Sequence, residues 1–211
     1  MSTNLNAGAV IIDRLDLDSD GKDFEGIAAI QAELAVAFQL LAAGERESST
    51  GFLISAYKAE NFRDFLRREG LILAARSAES GALIGYLLAN SGATFLANHP
   101  ATTLQWEDEA SLRTHGPAYA SGAFTYLDQI GVARSFHGTG VARELHRHFL
   151  KRVPTPILAA VVQAPIRNTR STMFFKKLGY FQIGMFHTAE LKGLRDVRSA
   201  VLALAAAGPS P

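Results

Sequence analysis

Gly138 and Gly140 stand where an apolar run, residues 124–132, gives way to an amphipathic one, residues 139–153, and this junction constrains the chain more than any other feature. The upstream run reads as a buried strand. The downstream run reads as a helix, with Val141, Leu145 and Phe149 on one face and Arg143, Glu144, Arg147 and Lys151 on the other. A strand that turns through glycines directly into a helix leaves the first helical N–H groups without intrahelical partners. Glycine removes the Cβ that would hold a ligand away, and the helix dipole favours negative charge at this end. Such a junction suits a phosphate. A plain strand-to-helix turn uses glycine as well, so the Gly-x-Gly spacing alone is a weak signal.

Two phosphate-binding architectures fit poorly. No Gly-Lys-Ser/Thr follows the turn, so the lysine and magnesium-binding hydroxyl of a nucleoside-triphosphate loop are missing. A dinucleotide fold needs a third glycine, where Arg143 stands, and an acidic end to the next strand, residues 157–163, which closes on Gln163.

Composition narrows the class further. The chain has 211 residues, 48% of them hydrophobic, enough for one domain with a substantial core. A formal net charge of +1 argues against a nucleic-acid binder. With no cysteine, disulfides, cysteine metal sites and a thiol nucleophile are excluded. Residues 1–9 lack the basic start and apolar run of a signal peptide. No apolar run is expected to reach the roughly 20 residues that span a bilayer, so the expectation is a cytoplasmic protein without a membrane partner.

Along the chain, residues 9–15 read as a first strand. Ile27, Ile30, Leu34, Phe38 and Leu41 recur at helical spacing over residues 26–43, and residues 59–69 form a second, more charged helix. Residues 71–75 and 82–89 read as a hairpin. Residues 90–122 show little periodicity and carry His99, Trp106, Glu107, Asp108 and His115, with a short helix near residues 106–112; a long connection of this kind suggests a binding loop. Residues 157–163 form a strand and 169–178 a helix closed by Gly179; residues 180–187 and 199–204 read as closing strands, and 205–211 as a frayed tail. The expectation is a single domain over residues 1–211.

Two motifs carry a resemblance. The first is His137-x-x-Gly140-x-Ala142, also readable as Ser135-x-x-Gly138-x-Gly140. The second is Asn168-x-x-Ser171-x-x-x-Phe175-x-x-x-Gly179-Tyr180. In this order, separated by helix and strand, they resemble the GNAT superfamily of acyl-coenzyme A-dependent N-acyltransferases, whose patterns are Gln/Arg-x-x-Gly-x-Gly/Ala and Asn-x-x-Ala-x-x-x-Tyr-x-x-x-Gly-Phe. The core of the resemblance spans residues 124–188, and the strand bearing Asp128 is similar to a bacterial branch of predicted acetyltransferases. It implies an α/β fold, a mixed, mostly antiparallel, splayed sheet flanked by helices, with acetyl-CoA as cofactor.

The resemblance also implies site residues. Backbone groups of Ile130, Gly131 and Val132 hold the pantetheine arm, and Gly131 either opens the sheet face to the ligand or serves simple strand packing. His137, Gly138, Thr139, Gly140, Val141, Ala142 and Arg143 form the pyrophosphate loop, and Asn168, Ser171 and Phe175 contribute from the later helix. An alkyl ammonium has a pKa of about 10.4, so transfer to it calls for a base. Asp128, an ionisable residue in an apolar strand, is the candidate; a structural carboxylate or an ammonium anchor is the alternative. Many relatives place an acid tyrosine where Phe175 stands, and phenylalanine cannot donate a proton. Asn168 also reads as a helix N-cap, and Trp106 as either an acceptor pocket wall or a core anchor. The implied activity is N-acetylation of a small-molecule amine or amino acid, compatible with a homodimer; the alternative is a CoA-binding sensor or scaffold without turnover. No metal site is expected.

Overall fold

Asp20 opens the first helix by accepting a hydrogen bond from the Lys22 amide at 3.0 Å, so the helix starts earlier than its apolar pattern indicates. The computed structural model describes residues 9–54, 56–100, 102–154 and 156–204. In chain order the strands are β1 (Val10–Leu15), β2 (Glu47–Ser48), β3 (Leu71–Ser77), β4 (Leu83–Ser91), β5 (Thr103–Trp106), β6 (Thr125–Val132), β7 (Ile157–Ala164), β8 (Arg167–Asn168), β9 (Phe181–Leu191) and β10 (Leu194–Leu204). The helices are α1 (Gly21–Leu34), α2 (Ala37–Ala42), α3 (Asn61–Arg67), α4 (Gly92–Asn98), α5 (Glu109–Ser121), α6 (Val141–Leu150) and α7 (Thr169–Lys177). A 3₁₀ turn, Arg134–Phe136, links β6 to the glycines before α6. Eight strands form one sheet in the order β1-β3-β4-β6-β7-β10-β9-β5. Its pairings are antiparallel at β1–β3, β3–β4, β7–β10, β10–β9 and β9–β5, and parallel at β6–β7. This is the mixed, mostly antiparallel α/β sheet expected.

Chain contacts divide the fold into two compact units, and β6 passes from one into the other after Leu127. The first unit holds β1, β3, most of β4, the end of β6, and helices α1, α3 and α6. Its core includes Phe24, Phe62, Ile72, Leu87, Leu145 and Phe149, all essentially inaccessible. The pleat of β4 sends successive residues to opposite faces. A Cβ at Gly85 would meet Val141 and Leu145 of α6, whereas its neighbour Tyr86 reaches Gly131 and Gln129 on the other face.

The second unit holds the start of β6, where Thr125, Tyr126 and Leu127 register against Ile157, Leu158 and Ala159, and the β7-β10-β9-β5 part of the sheet. Phe95, Phe124, Tyr126, Leu158, Ile183 and Phe186 form one of its clusters. Another gathers Ala37, Phe52, Ile166, Leu194 and Val197.

Several expectations are corrected. The single helix over residues 26–43 is two, broken between Leu34 and Ala37, and Phe38 is exposed. The stretch Gly21–Ala42, at 22 residues, does have the length and apolar composition to cross a membrane, counter to the expectation; across its break, α1 buries Phe24, Ile27, Ile30 and Leu34. Residues 90–122 are largely ordered into α4, β5 and α5, the last capped by Asp108 and closed by Gly122 in the left-handed region. No α5 residue is fully buried, so its sequence carries little apolar periodicity. The closing strands extend to a tight turn at Lys192 and Gly193, both with positive φ, as a two-residue hairpin of the I′ kind requires. The tail expected over residues 205–211 lies outside the described residues.

Candidate functional site

The glycine turn is open and braced. Gly138 and Gly140 have φ of 84° and 94°, and a Cβ at either would meet nothing within 4 Å. Backbone rotation, not packing, therefore demands glycine at both, and the space outside the turn is unfilled by protein. Gly140 is the N-cap of α6 and offers its first turn no side-chain hydrogen bond. Its carbonyl accepts from Glu144, so the helix starts there, with the N–H groups of the first turn directed outward. Thr139 Oγ1 donates to the Phe136 carbonyl at 2.7 Å. His137 Nε2 donates to the Val132 carbonyl at 2.9 Å, so this imidazole nitrogen serves the loop itself. From α1, Glu33 accepts the Arg134 amide at 3.0 Å, and its carbonyl accepts from the Arg134 guanidinium. Val141 is buried; Ala142 is half-buried and Arg143 exposed. A preformed mouth of amides at the positive end of a ten-residue helix has the chemistry of an anion site.

On β6, Asp128, Gln129, Ile130 and Val132 are half-buried and Gly131 is buried. Tyr57 Oη donates to Asp128 Oδ2 at 3.0 Å. The Tyr57 amide donates to Gln31 Oε1 at 2.5 Å, and Gln31 Nε2 donates to Gln129 Oε1 at 2.8 Å. Tyr86 Oη donates to that same Gln129 oxygen at 2.9 Å. Five side chains from α1, the segment before α3, β4 and β6 thus form one polar network around Asp128. Burial pushes the Tyr57 phenol well above its ordinary range, and the charge and hydrogen bond of Asp128 push it the same way. Burial also raises the Tyr86 phenol, and Asp128 adds to it. Of the two readings of Gly131, the geometry answers to packing: a Cβ there would collide with the Tyr86 ring. The missing side chain makes room for Tyr86, not for an open sheet face.

In the second unit, Asn168 is 4% exposed and both ends of its amide are engaged. Its Oδ1 accepts the Ser171 amide at 3.1 Å and its Nδ2 donates to the Phe52 carbonyl at 3.0 Å. The N-cap reading therefore describes Asn168. Ser171 is half-buried. Phe175 is buried against Tyr180, ring centroids 5.0 Å apart.

The residues of the expected binding loop are used structurally. Trp106 packs edge-on against Tyr119 beside the aromatic cluster. Glu107 accepts from Gln182, and Asp108 caps α5. His99 stacks on Phe95, and the His115 ring lies 5.7 Å from that of Phe181. A groove of about 570 Å³ runs along α5 between Trp106, Leu112, Arg113 and Tyr119. Among the described residues no cluster of His, Asp or Glu has metal-ligand geometry.

Sequence reasoning missed Tyr57, Gln31, Gln129 and Tyr86. Gln31 alone carried a signal: a polar residue beside Ile30 and near Ile27 and Leu34 on the buried face of a helix, where an amide needs partners.

The sequence profile of the Acetyltransferase (GNAT) family matches residues 38–180. The fold is similar to an N-acetyltransferase from Staphylococcus aureus Mu50, at 15% identity over 93% of this chain and 98% of that one, with a TM-score of 0.57. It is similar to Arabidopsis thaliana NAA60 in complex with acetyl-CoA, at 16% identity over 93% and 98% of the two chains, TM-score 0.57. It is also similar to yncA of Salmonella typhimurium with its cofactor acetyl-CoA, at 13% identity over 96% and 99%, TM-score 0.56. A search of the curated proteins returns no match.

Proposed function

The chain belongs to the GNAT acetyltransferase family, and from that premise we propose that it transfers an acetyl group from acetyl-CoA to the primary amine of a small molecule or amino acid. One observation carries the proposal: the open glycine turn with positive φ at Gly138 and Gly140, set against an α6 start that no side chain caps. The residues present fit the cofactor. Amides of Gly138 and of Gly140 to Arg143 would hold its diphosphate, with Thr139, whose amide and hydroxyl both donate to the Phe136 carbonyl, and His137 bracing the turn. Backbone groups of Ile130, Gly131 and Val132 would hold the pantetheine arm. Asn168, Ser171 and Phe175 are assigned to the cofactor by their motif, Asn168 acting at least as the cap that orients α7.

When bound, acetyl-CoA supplies a thioester carbonyl for the amine to attack and a thiolate to leave. Strand amides of β6 would be the donors to negative charge on that carbonyl oxygen. Asp128 takes the amine proton as the carbon–nitrogen bond forms. A carboxylate is a weak base toward a free alkyl ammonium, so Asp128 acts on the nitrogen as it loses its lone pair, when that proton is far more acidic. Phe175 has no proton to give, and the leaving thiolate, whose conjugate thiol has a pKa near 8.5, would take its proton from water. The net charge of +1 supplies no basic field for a nucleic-acid acceptor. The same Phe175 favours the second reading, a CoA-binding sensor without turnover.

A thiol-release assay with acetyl-CoA and a panel of alkylamines and amino acids, beside calorimetry with CoA, tests both. Amine-dependent release supports the transferase; tight binding without release across the panel supports the sensor. Gly140→Glu places a carboxylate where the diphosphate is proposed to sit and is expected to weaken CoA binding at least about 100-fold. Unchanged affinity would falsify the loop assignment.

A further inference from the structure

We propose that Tyr57 is the positioning residue of the acceptor site, holding Asp128 as an oriented carboxylate, with Gln31 and Gln129 fixing Tyr57 against β6. The proposal rests on the reading of Asp128 as base. Its support is geometric. Tyr57 is held at three points: its hydroxyl donates to Asp128 Oδ2, its amide donates to Gln31 Oε1, and its ring packs on Phe62 and Phe65 of α3 at centroid distances of 6.1 and 6.3 Å.

Gln31 is completely buried, so its amide orientation is dictated by partners and not by water. Its Nε2 donates to Gln129, the residue next to Asp128, and its Oε1 receives Tyr57. Positions 31, 57, 128 and 129 therefore form one chain of hydrogen bonds that begins and ends on β6. Such a chain does little for folding that an apolar cluster would not do as well. It does fix where a carboxylate points.

Among the titratable groups that face Asp128 are the phenols of Tyr57 and Tyr86, both held protonated at neutral pH. A phenol that keeps its proton beside a carboxylate donates to it, and donation to the charged form favours that form. Removing the Tyr57 hydroxyl makes Asp128 easier to protonate. Transfer needs the unprotonated carboxylate, so the acidic limb of the rate profile moves to higher pH.

The test is Tyr57→Phe, which keeps the ring and its packing. The acidic limb of kcat/KM against pH is expected to rise by about one to two pH units, the equivalent of a charge-assisted hydrogen bond, with CoA affinity and melting temperature nearly unchanged. In an Asp128→Asn background, Tyr57→Phe is expected to alter the profile no further. A lower melting temperature with an unmoved limb would mark Tyr57 as structural and overturn the proposal. If Asp128→Asn itself leaves the limb in place, the base reading fails, and Tyr57 loses the role with it.

A second measurement does not depend on how Tyr57→Phe folds. The chain has five tyrosines, and ¹³Cζ labelling resolves each phenol by NMR at neutral pH, where Tyr57 keeps its proton. One resonance, assigned to Tyr57 by its loss in Tyr57→Phe, is expected to move in Asp128→Asn, where its hydroxyl no longer donates to a carboxylate. No change in any phenol would show that the pairing is not made, and would overturn the proposal whatever the kinetics.

Discussion

Gly131→Ala tests the packing of β6 independently of any ligand. A Cβ at Gly131 would sit 2.7 Å from Tyr86 Cζ and 2.8 Å from its hydroxyl, and nearer still to Cε1. Carbon atoms in contact settle near 3.5–4.0 Å, so the ring must retreat by roughly 1 Å. Tyr86 is completely buried and its hydroxyl is tied to Gln129 Oε1 at 2.9 Å, so retreat strains the core and stretches that bond. Overpacking costs about 1–3 kcal/mol and a lost hydrogen bond about 1 more. The expected destabilisation is therefore about 2–4 kcal/mol, a large part of a typical folding free energy yet short of unfolding a protein of ordinary stability. Urea unfolding of four proteins decides it: the parent, Gly131→Ala, Tyr86→Leu and the double variant. Tyr86→Leu is itself destabilising but removes the obstructing ring, so Gly131→Ala in that background should cost less than about 1 kcal/mol. Equal costs in the two backgrounds, within about 0.5 kcal/mol, would refute the argument that Gly131 exists to seat Tyr86.

Asn168→Ala removes the α7 cap and leaves the buried Phe52 carbonyl without its donor, for an expected loss of about 2–4 kcal/mol in urea unfolding. Asn168→Ser, which keeps a capping oxygen but not the amide donor, should recover about 1 kcal/mol of it. His146 is 3% exposed on α6, and burial pushes its imidazole down to about 4. The unfolded chain binds that proton near 6.5 and the native state does not, so stability is full above about 6.5 and falls as the pH drops toward 4, by at most about 3 kcal/mol. Denaturation at pH 7.5 and 4.5 should show a steeper loss for the parent than for His146→Leu; equal losses would mean that His146 takes up its proton in the folded state.

The fold was legible where one face of an element is apolar and the other is not. α6 shows this best, with Val141, Leu145 and Phe149 buried at helical spacing and Arg143 and Arg147 exposed. α5 was not legible, because a helix with no fully buried residue has no stripe to read, and its stop signal, Gly122, stands well past the Asp108 cap. The far half of the β9–β10 hairpin failed for a related reason. Residues 188–198 are mostly charged or polar, and only the register with partner strands reveals them as a ladder.

The candidate site divides along the same line. The glycine turn is a local device: strand, positive-φ glycines and helix follow one another in the chain from Thr125 to Leu150, so sequence alone displays it. The network at Asp128 is non-local, its hydrogen bonds joining residues 71 and 98 positions apart, and no spacing rule connects Gln31, Tyr57 and Gln129. Asp128 was conspicuous as a charge in an apolar strand, yet one hydroxyl that donates to it belongs to a phenol that reads in sequence as an ordinary loop aromatic. An ionisable residue in a buried strand therefore implies a donor elsewhere in the chain, because a carboxylate removed from water must be compensated. Here that donor comes from the segment before α3, and the completely buried amide of Gln31 is what holds it in place.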